Sequence, residues 1–266
     1  MIRAAVLGSP ISHSLSPKLH AAAYGYLEIA GEYSSFDVKS GTLKNFLADK
    51  INGWSGFSLT MPLKEEALNC ADFIDPLVRR IKSGNTLVNS NGKWHLYSTD
   101  VLGFRNVWQM KDTEKPESVL IIGSGATARS AAAAFDSTST ELHVAHRNVE
   151  REESMRASTE ISNITFHPMD FIKNAQDFDL VINTTPKNIL DEYASGLTQK
   201  PSGIFFDVIY DPWPTQFALR WEQLEGVVIS GLELLVAQGI EQVRLFTGKD
   251  VPTTLLSNFL RSEFNL

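Results

Sequence analysis

Apolar residues fall in short runs along the chain, separated by stretches whose apolar positions recur at helical spacing. Residues 2–7 read as a buried strand. Ser16 and Pro17 then supply a capping hydroxyl and a proline at the first helical position, which predicts a helix to about residue 27. A strand at 33–38, a helix at 42–50, a strand at 57–60 and a helix from Pro62 continue the alternation. That order predicts a largely parallel sheet. One hairpin interrupts it: residues 86–90 and 93–97 flank Asn91-Gly92, the pair most suited to a two-residue type I′ turn.

After a helix at 101–110, residues 111–117 are polar and carry a proline, as segments between domains do. From Ser118 the alternation restarts, with strands expected at 119–122, 142–146, 180–183, 204–208 and 227–229. Two apolar-periodic helices, 232–246 and 253–264, follow with no strand after them, and their pattern suits either domain. A length of 266 residues accommodates two medium α/β domains, and 43% hydrophobic content is enough to build their cores.

Composition removes several function classes. A net charge of −7 disfavours a nucleic-acid partner, which calls for a basic surface. The single cysteine, Cys70, has no cationic neighbour in sequence and reads as a small packed residue rather than a nucleophile. The opening apolar run is short for a signal peptide, and no stretch is long enough to span a membrane. The expectation is a cytoplasmic protein without a membrane partner. The six histidines form no H-x-x-x-H pair, so no metal site is expected.

The segment Gly123-Ser124-Gly125-Ala126-Thr127-Ala128 follows an apolar strand and opens an alanine-rich helix. Glycines there permit a tight turn and close approach of the backbone to a pyrophosphate, with the helix N-terminus directed at the anion. Ala128 fills the third small position of the G-x-G-x-x-G/A pattern. About 20 residues on, dinucleotide sites choose between NAD, by an acid, and NADP, by a cation. His146-Arg147-Asn148 ends that strand without a carboxylate, and Arg151 follows. Arg147, with Arg151 and Asn148 in support, suits a 2′-phosphate, so the pattern favours NADP over NAD. Glu150, Glu152 and Glu153 alongside also fit a solvated charge cluster.

Three polar clusters in the first domain look chemical. Ser12, Ser14 and Ser16 stand at alternate positions before a helix, where hydroxyls can bind a carboxylate. Lys64 lies in the first turn of the helix from Pro62, facing the positive end of the dipole, which disfavours its ammonium form. Asn85-Thr86 enters the hairpin and Thr99-Asp100 leaves it, so the short turn brings them to one edge, where Asp100 can partner Lys64.

Together these motifs resemble the shikimate dehydrogenase family: S-x-S-x-S-P at residues 12–17, T-x-P-x-K at 60–64, Asn85-Thr86, Thr99-Asp100, the glycine turn, the Arg147 region and L-V-A-Q ending in Gln238. The resemblance implies two α/β domains, residues 1–101 plus 238–266 for substrate and 102–237 for a Rossmann-type NADP domain, with the active site in the cleft between them. It implies NADP-linked interconversion of shikimate and 3-dehydroshikimate by a monomer or homodimer. Lys64 and Asp100 would be the catalytic pair; Ser14 and Ser16 would hold the ring carboxylate, and Thr60, Asn85 and Gln238 the ring hydroxyls. Val208, Tyr210 and Gly231 would lie near the nicotinamide, with Tyr210 also meeting substrate, while Gly123 to Ala128, His146, Arg147, Asn148 and Arg151 would hold the rest of the cofactor.

The chain departs from the family's usual asparagine at Ser58, glycine at Val101, N-R-T or N-R-S at His146-Arg147-Asn148, and aspartate at Ser230. Two other readings share these residues: a related enzyme using quinate or NAD, and a degenerate NADP-binding module. The Lys64 and Asp100 pair favours an enzyme, since binding alone does not need it.

Overall fold

In the computed structural model, residues 1–50, 52–111 and 114–266 are described. Asp112 and Thr113, within the polar stretch expected between domains, lie outside them. The chain forms two compact units, Met1–Phe104 with Leu235–Leu266, and Arg105–Leu234. Each is built on a six-stranded sheet.

In the first unit the strands are β1 (Ile2–Gly8), β2 (Gly31–Asp37), β3 (Gly56–Leu59), β4 (Phe73–Ile74), β5 (Thr86–Ser90) and β6 (Lys93–Tyr97), in the order β2-β1-β3-β5-β6-β4. β1 runs parallel to β2 and β3, whereas β5 is antiparallel to both β3 and β6. The hairpin turn needs two left-handed residues, and Asn91 and Gly92 supply them at φ 52° and 77°. Beneath the sheet, Leu7, Phe57, Leu63 and Leu87 are fully buried in one cluster with Trp54 and Trp94. Cys70 packs at its margin, and burial pushes its thiol up, as expected of an unreactive residue.

The helix Ser16–Tyr26 opens differently from expectation. Ser16 is already helical and does not cap. Ser14 Oγ accepts from the Ser16 N–H at 3.3 Å, so the earlier serine serves the exposed donor.

In the second unit the strands are β7 (Ser118–Ile122), β8 (Glu141–Ala145), β9 (Ile164–His167), β10 (Leu180–Asn183), β11 (Ile204–Asp207) and β12 (Val227–Ile229). Their order is β12-β11-β10-β7-β8-β9, with every neighbouring pair parallel. This is the doubly wound arrangement, whose strand order reverses between β7 and β10 and so leaves a crevice at their C-terminal ends. A parallel sheet covered on both faces calls for continuous apolar strands, and Val119, Leu120, Ile121 and Ile122 are all fully buried. β9 has no counterpart in the sequence reading: it is short, lies at the sheet edge and is only partly buried, so its apolar pattern is weak. No helix among the described residues is long and apolar enough to cross a membrane.

Candidate active site

Three backbone ends converge in the first unit. β1 and β3 are parallel neighbours, so the serine loop after β1 and the Thr60 to Lys64 turn after β3 leave the sheet together: Thr60 N–H donates to Leu7 O at 2.9 Å and Ser9 N–H to Met61 O at 3.0 Å. Gly8 is required there, because a Cβ would strike the Thr60 methyl. β5 runs the opposite way, so its first residues reach the same edge, Thr86 pairing with Ser58. Asn85 N–H donates to Tyr97 O at 3.0 Å and thereby sets the hairpin's entry beside its exit.

The hairpin exit leads into the helix Asp100–Gln109, and Lys64 Nζ meets Asp100 Oδ2 at 2.6 Å. The pair is largely shielded from water, with side-chain exposures of 15% and 6%. The other carboxylate oxygen, Oδ1, accepts from Asn85 Nδ2 at 2.8 Å. The same amide nitrogen lies 2.9 Å from Thr99 Oγ1 and 3.2 Å from Gln238 Oε1. Sequence spacing anticipated this meeting of Lys64, Asp100 and Asn85. Its argument from the helix dipole carries less weight, since the helix Leu63–Glu66 is a single turn and the ammonium is held by a carboxylate instead.

Ser16, at the helix start, is buried, and Ser14, in the loop before it, is half-buried. Gln238 is buried on the helix Gly231–Thr247, where its Nε2 donates to Leu235 O at 3.0 Å. Gln242, four residues on and therefore on the same helical face, is also buried and touches Ser58, Asn85 and Thr86. The sequence reading did not select it, although its spacing from Gln238 was a usable signal.

The second unit presents a backbone site. Gly123 has φ 108°, and a Cβ there would lie 2.6 Å from Thr184 Oγ1. Gly125 then caps the helix Ala126–Phe135 without a side chain. A helix start leaves its first N–H groups without intrahelical acceptors, and the small Ala126 keeps side-chain bulk low beside them. A Cβ on Gly125 would stand 3.5 Å from Arg151 Nη1, so this guanidinium lies over the turn. Arg147 is exposed at the end of β8. Asn148 caps the next turn, accepting from Glu150 N–H at 3.0 Å, and Glu150, Glu152 and Glu153 occupy the turns around Arg151. His146 is buried between Asn148 O, 2.9 Å from Nδ1, and Glu152 Oε1, 3.3 Å from Nε2.

Ahead of Val208 lies a buried carboxylate absent from the sequence reading. Asp207 Oδ1 accepts from Asn183 Nδ2 at 2.9 Å and Ile209 N–H at 3.1 Å, and Oδ2 from Thr215 Oγ1 at 2.9 Å. Burial pushes its carboxyl up to about 6, the three donors opposing that shift. These bonds fix the start of the segment holding Val208 and Tyr210. Gly231 allows that segment's close approach, because a Cβ would strike Val208 O. Ser230, in place of the family's aspartate, keeps a capping function: Oγ accepts from Leu232 N–H at 3.2 Å. Among the described residues no His, Cys, Asp and Glu side chains gather into a metal-holding group.

Family models match three stretches of the chain. Residues 6–87 match the model of the shikimate dehydrogenase substrate binding domain, 108–208 that of shikimate / quinate 5-dehydrogenase, and 231–255 that of the shikimate 5'-dehydrogenase C-terminal domain. The NADP(+) shikimate dehydrogenase of Methanococcoides burtonii is 34% identical, with 98% of each chain covered. The crystal structure of the shikimate dehydrogenase of Mycobacterium tuberculosis has a TM-score of 0.83 at 30% identity, covering 99% of this chain and all of that one. The Thermus thermophilus enzyme, solved in complex with NADP(H) and shikimate, has a TM-score of 0.85 at 28% identity, covering 98% of this chain and 99% of the other.

Proposed function

The chain belongs to the shikimate dehydrogenase family, and from that premise we propose that it interconverts shikimate and 3-dehydroshikimate with NADP, chiefly as the reductase in aromatic biosynthesis. The single observation that carries this reading is the shielded pair of Lys64 and Asp100, 2.6 Å apart, with Asn85 on the second carboxylate oxygen. An ammonium so held is loaded for proton donation. In the reductive direction Lys64 gives its proton to the oxygen of the ring carbonyl as that carbon gains hydride, and Asp100 keeps the Nζ in place throughout. In oxidation the neutral amine takes the hydroxyl proton, and the attached hydrogen leaves the same carbon with its electron pair. NADP, when bound, supplies or receives that hydride.

The other assignments follow the chemistry of each group. Ser14 and Ser16 hold the ring carboxylate; Thr60, Asn85 and Gln238 hold ring hydroxyls, and Tyr210 is assigned to the substrate as well. The residues that would hold NADP fit it: the left-handed Gly123, the uncluttered helix start from Gly125 to Ala128, and Arg151 over the turn suit a pyrophosphate and a 2′-phosphate. Arg147 and Asn148 complete the phosphate side, His146 supports them, and Val208 and Gly231 serve the nicotinamide. In this division residues 1–101 and 238–266 serve the substrate and 102–237 the cofactor.

The test is a spectrophotometric assay of NADP reduction with shikimate, run beside quinate and NAD. Turnover with shikimate and NADP, sharply lowered in Lys64→Ala, is the expected result. Preference for quinate or for NAD, or unchanged turnover in the variant, overturns the reading.

A further inference from the structure

Beneath the substrate edge of the first unit, buried hydroxyls and amides form a chain whose donations all run one way. Tyr33 OH donates to Ser58 Oγ at 2.6 Å, and Ser58 Oγ donates to Gln242 Oε1 at 2.7 Å. Gln242 Nε2 donates to Thr86 Oγ1 at 3.1 Å, and Thr86 Oγ1 donates to Asn85 Oδ1 at 3.0 Å. Asn85 Nδ2 then donates to Asp100 Oδ1, whose partner oxygen holds Lys64. Ser58, Gln242, Thr86, Asn85 and Asp100 are each at most 4% exposed, so water does not compete for these bonds.

Each link fixes the polarity of the next. An amide can face either way, and a hydroxyl can turn its hydrogen toward any acceptor. Because Ser58 gives its hydrogen to Gln242 Oε1, the Gln242 nitrogen must face Thr86. Thr86 Oγ1 receives that N–H, and its own hydrogen is directed onward to Asn85 Oδ1. Thr99 N–H, donating to the same oxygen at 2.7 Å, closes the choice: Asn85 presents oxygen inward and nitrogen toward Asp100. The reversed amide would set an oxygen against the carboxylate.

We infer that Gln242, relayed through Thr86, is a positioning residue for the reaction: together with the Thr99 N–H it sets the orientation of the Asn85 amide and so holds the Asp100 carboxylate on Lys64. Ser58 is the anchor of the relay. This inference rests on the proposed roles of Lys64, Asp100 and Asn85.

Two variants test it. Thr86→Val is isosteric and removes only the hydroxyl, whereas Gln242→Leu removes the preceding link; each is expected to lower kcat for shikimate oxidation about tenfold, the effect of a broken buried hydrogen bond. Thr86→Ser, which keeps the hydroxyl, is expected to stay within about twofold of the parent chain, and NADP affinity, measured by fluorescence quenching, to remain unchanged in all three. Turnover within twofold of the parent in both Thr86→Val and Gln242→Leu overturns the inference. So does a fall in Thr86→Ser as deep as in Thr86→Val, which would mark packing alone. A separate readout distinguishes failure of the proposed reaction: the side-chain amide resonances of Asn85 in nitrogen-15-labelled protein. If the parent chain does not turn over shikimate, shifted and faster-exchanging Asn85 resonances in Gln242→Leu uphold the relay, and unchanged ones overturn it.

Discussion

In the second unit every strand runs parallel and the strand core is apolar, so what reaches the sheet edge is backbone: a left-handed glycine and a helix start. The first unit has the same number of strands but reverses direction at β5, and that reversal brings a strand's beginning beside two strand ends. Side chains from separate elements meet there, and a buried chain of hydroxyls and amides holds them. The difference teaches that a backbone cradle is made by local conformation, whereas a cluster of polar side chains must be brought together across the sheet and then oriented.

Removing one amine breaks the comparison most sharply. Lys64→Ala is expected to lower kcat by about a thousandfold, within the range for loss of a general acid-base group, while the KM for shikimate changes little. Steady-state kinetics at saturating NADP measure both. On the other side, Arg151→Glu replaces a cation over the glycine turn with an anion and is expected to raise the KM for NADP about a hundredfold and that for NAD by less, since only NADP carries a 2′-phosphate. A parallel titration with the two cofactors reads this directly. Gly123→Ala tests the backbone itself: at φ 108° with Thr184 Oγ1 in the way, the methyl is expected to cost about 2 kcal/mol in urea unfolding and to weaken NADP binding.

A gentler probe lies in the buried polar interior of the first unit. His20 is fully buried and stacks on Tyr33 with ring centroids 3.8 Å apart. Its Nδ1 donates to Ser16 O at 2.9 Å, Nε2 has no partner, and burial lowers its pKa from 6.5 to about 4. The folded state therefore binds fewer protons than the unfolded chain in that window. Stability is full above pH 6.5 and falls as the pH drops toward 4, by up to about 3 kcal/mol. Asp207 works against it: its carboxyl is raised from 3.8 to about 6, so its contribution declines as the pH rises through that range. Denaturant unfolding from pH 7 to 4 is expected to show a shallower acid limb in His20→Phe, which keeps the ring and removes the titration.

The glycine turn was legible because local sequence fixes local conformation: Gly123 and Gly125 mean the same thing wherever the strand lies. The hairpin was legible for the same reason, through Asn91-Gly92. Lys64 and Asp100 could be paired in sequence because the hairpin's register returns the chain to its starting edge. The relay was harder to read. Tyr33, Ser58, Thr86 and Gln242 come from four elements, and only the strand order makes them neighbours. Asp207 escaped because a single acid at a strand end has no periodic signature, and β9 because an edge strand needs little apolar patterning. The Ser16 cap failed on a detail of one position, since the hydroxyl that serves the helix start belongs to Ser14.

The division of the chain also has a bearing on synthesis. The second unit is one uninterrupted stretch, whereas the first needs segments from both ends of the sequence. As the chain leaves the ribosome, Arg105–Leu234 can fold while the earlier unit still lacks Gln238 and Gln242. Until those glutamines emerge, Ser58 lacks its amide acceptor and Thr86 the amide that donates to its hydroxyl. A nascent chain halted before them therefore carries a finished second unit and an unfinished, water-accessible first one, the state in which a chaperone or protease would find its opening.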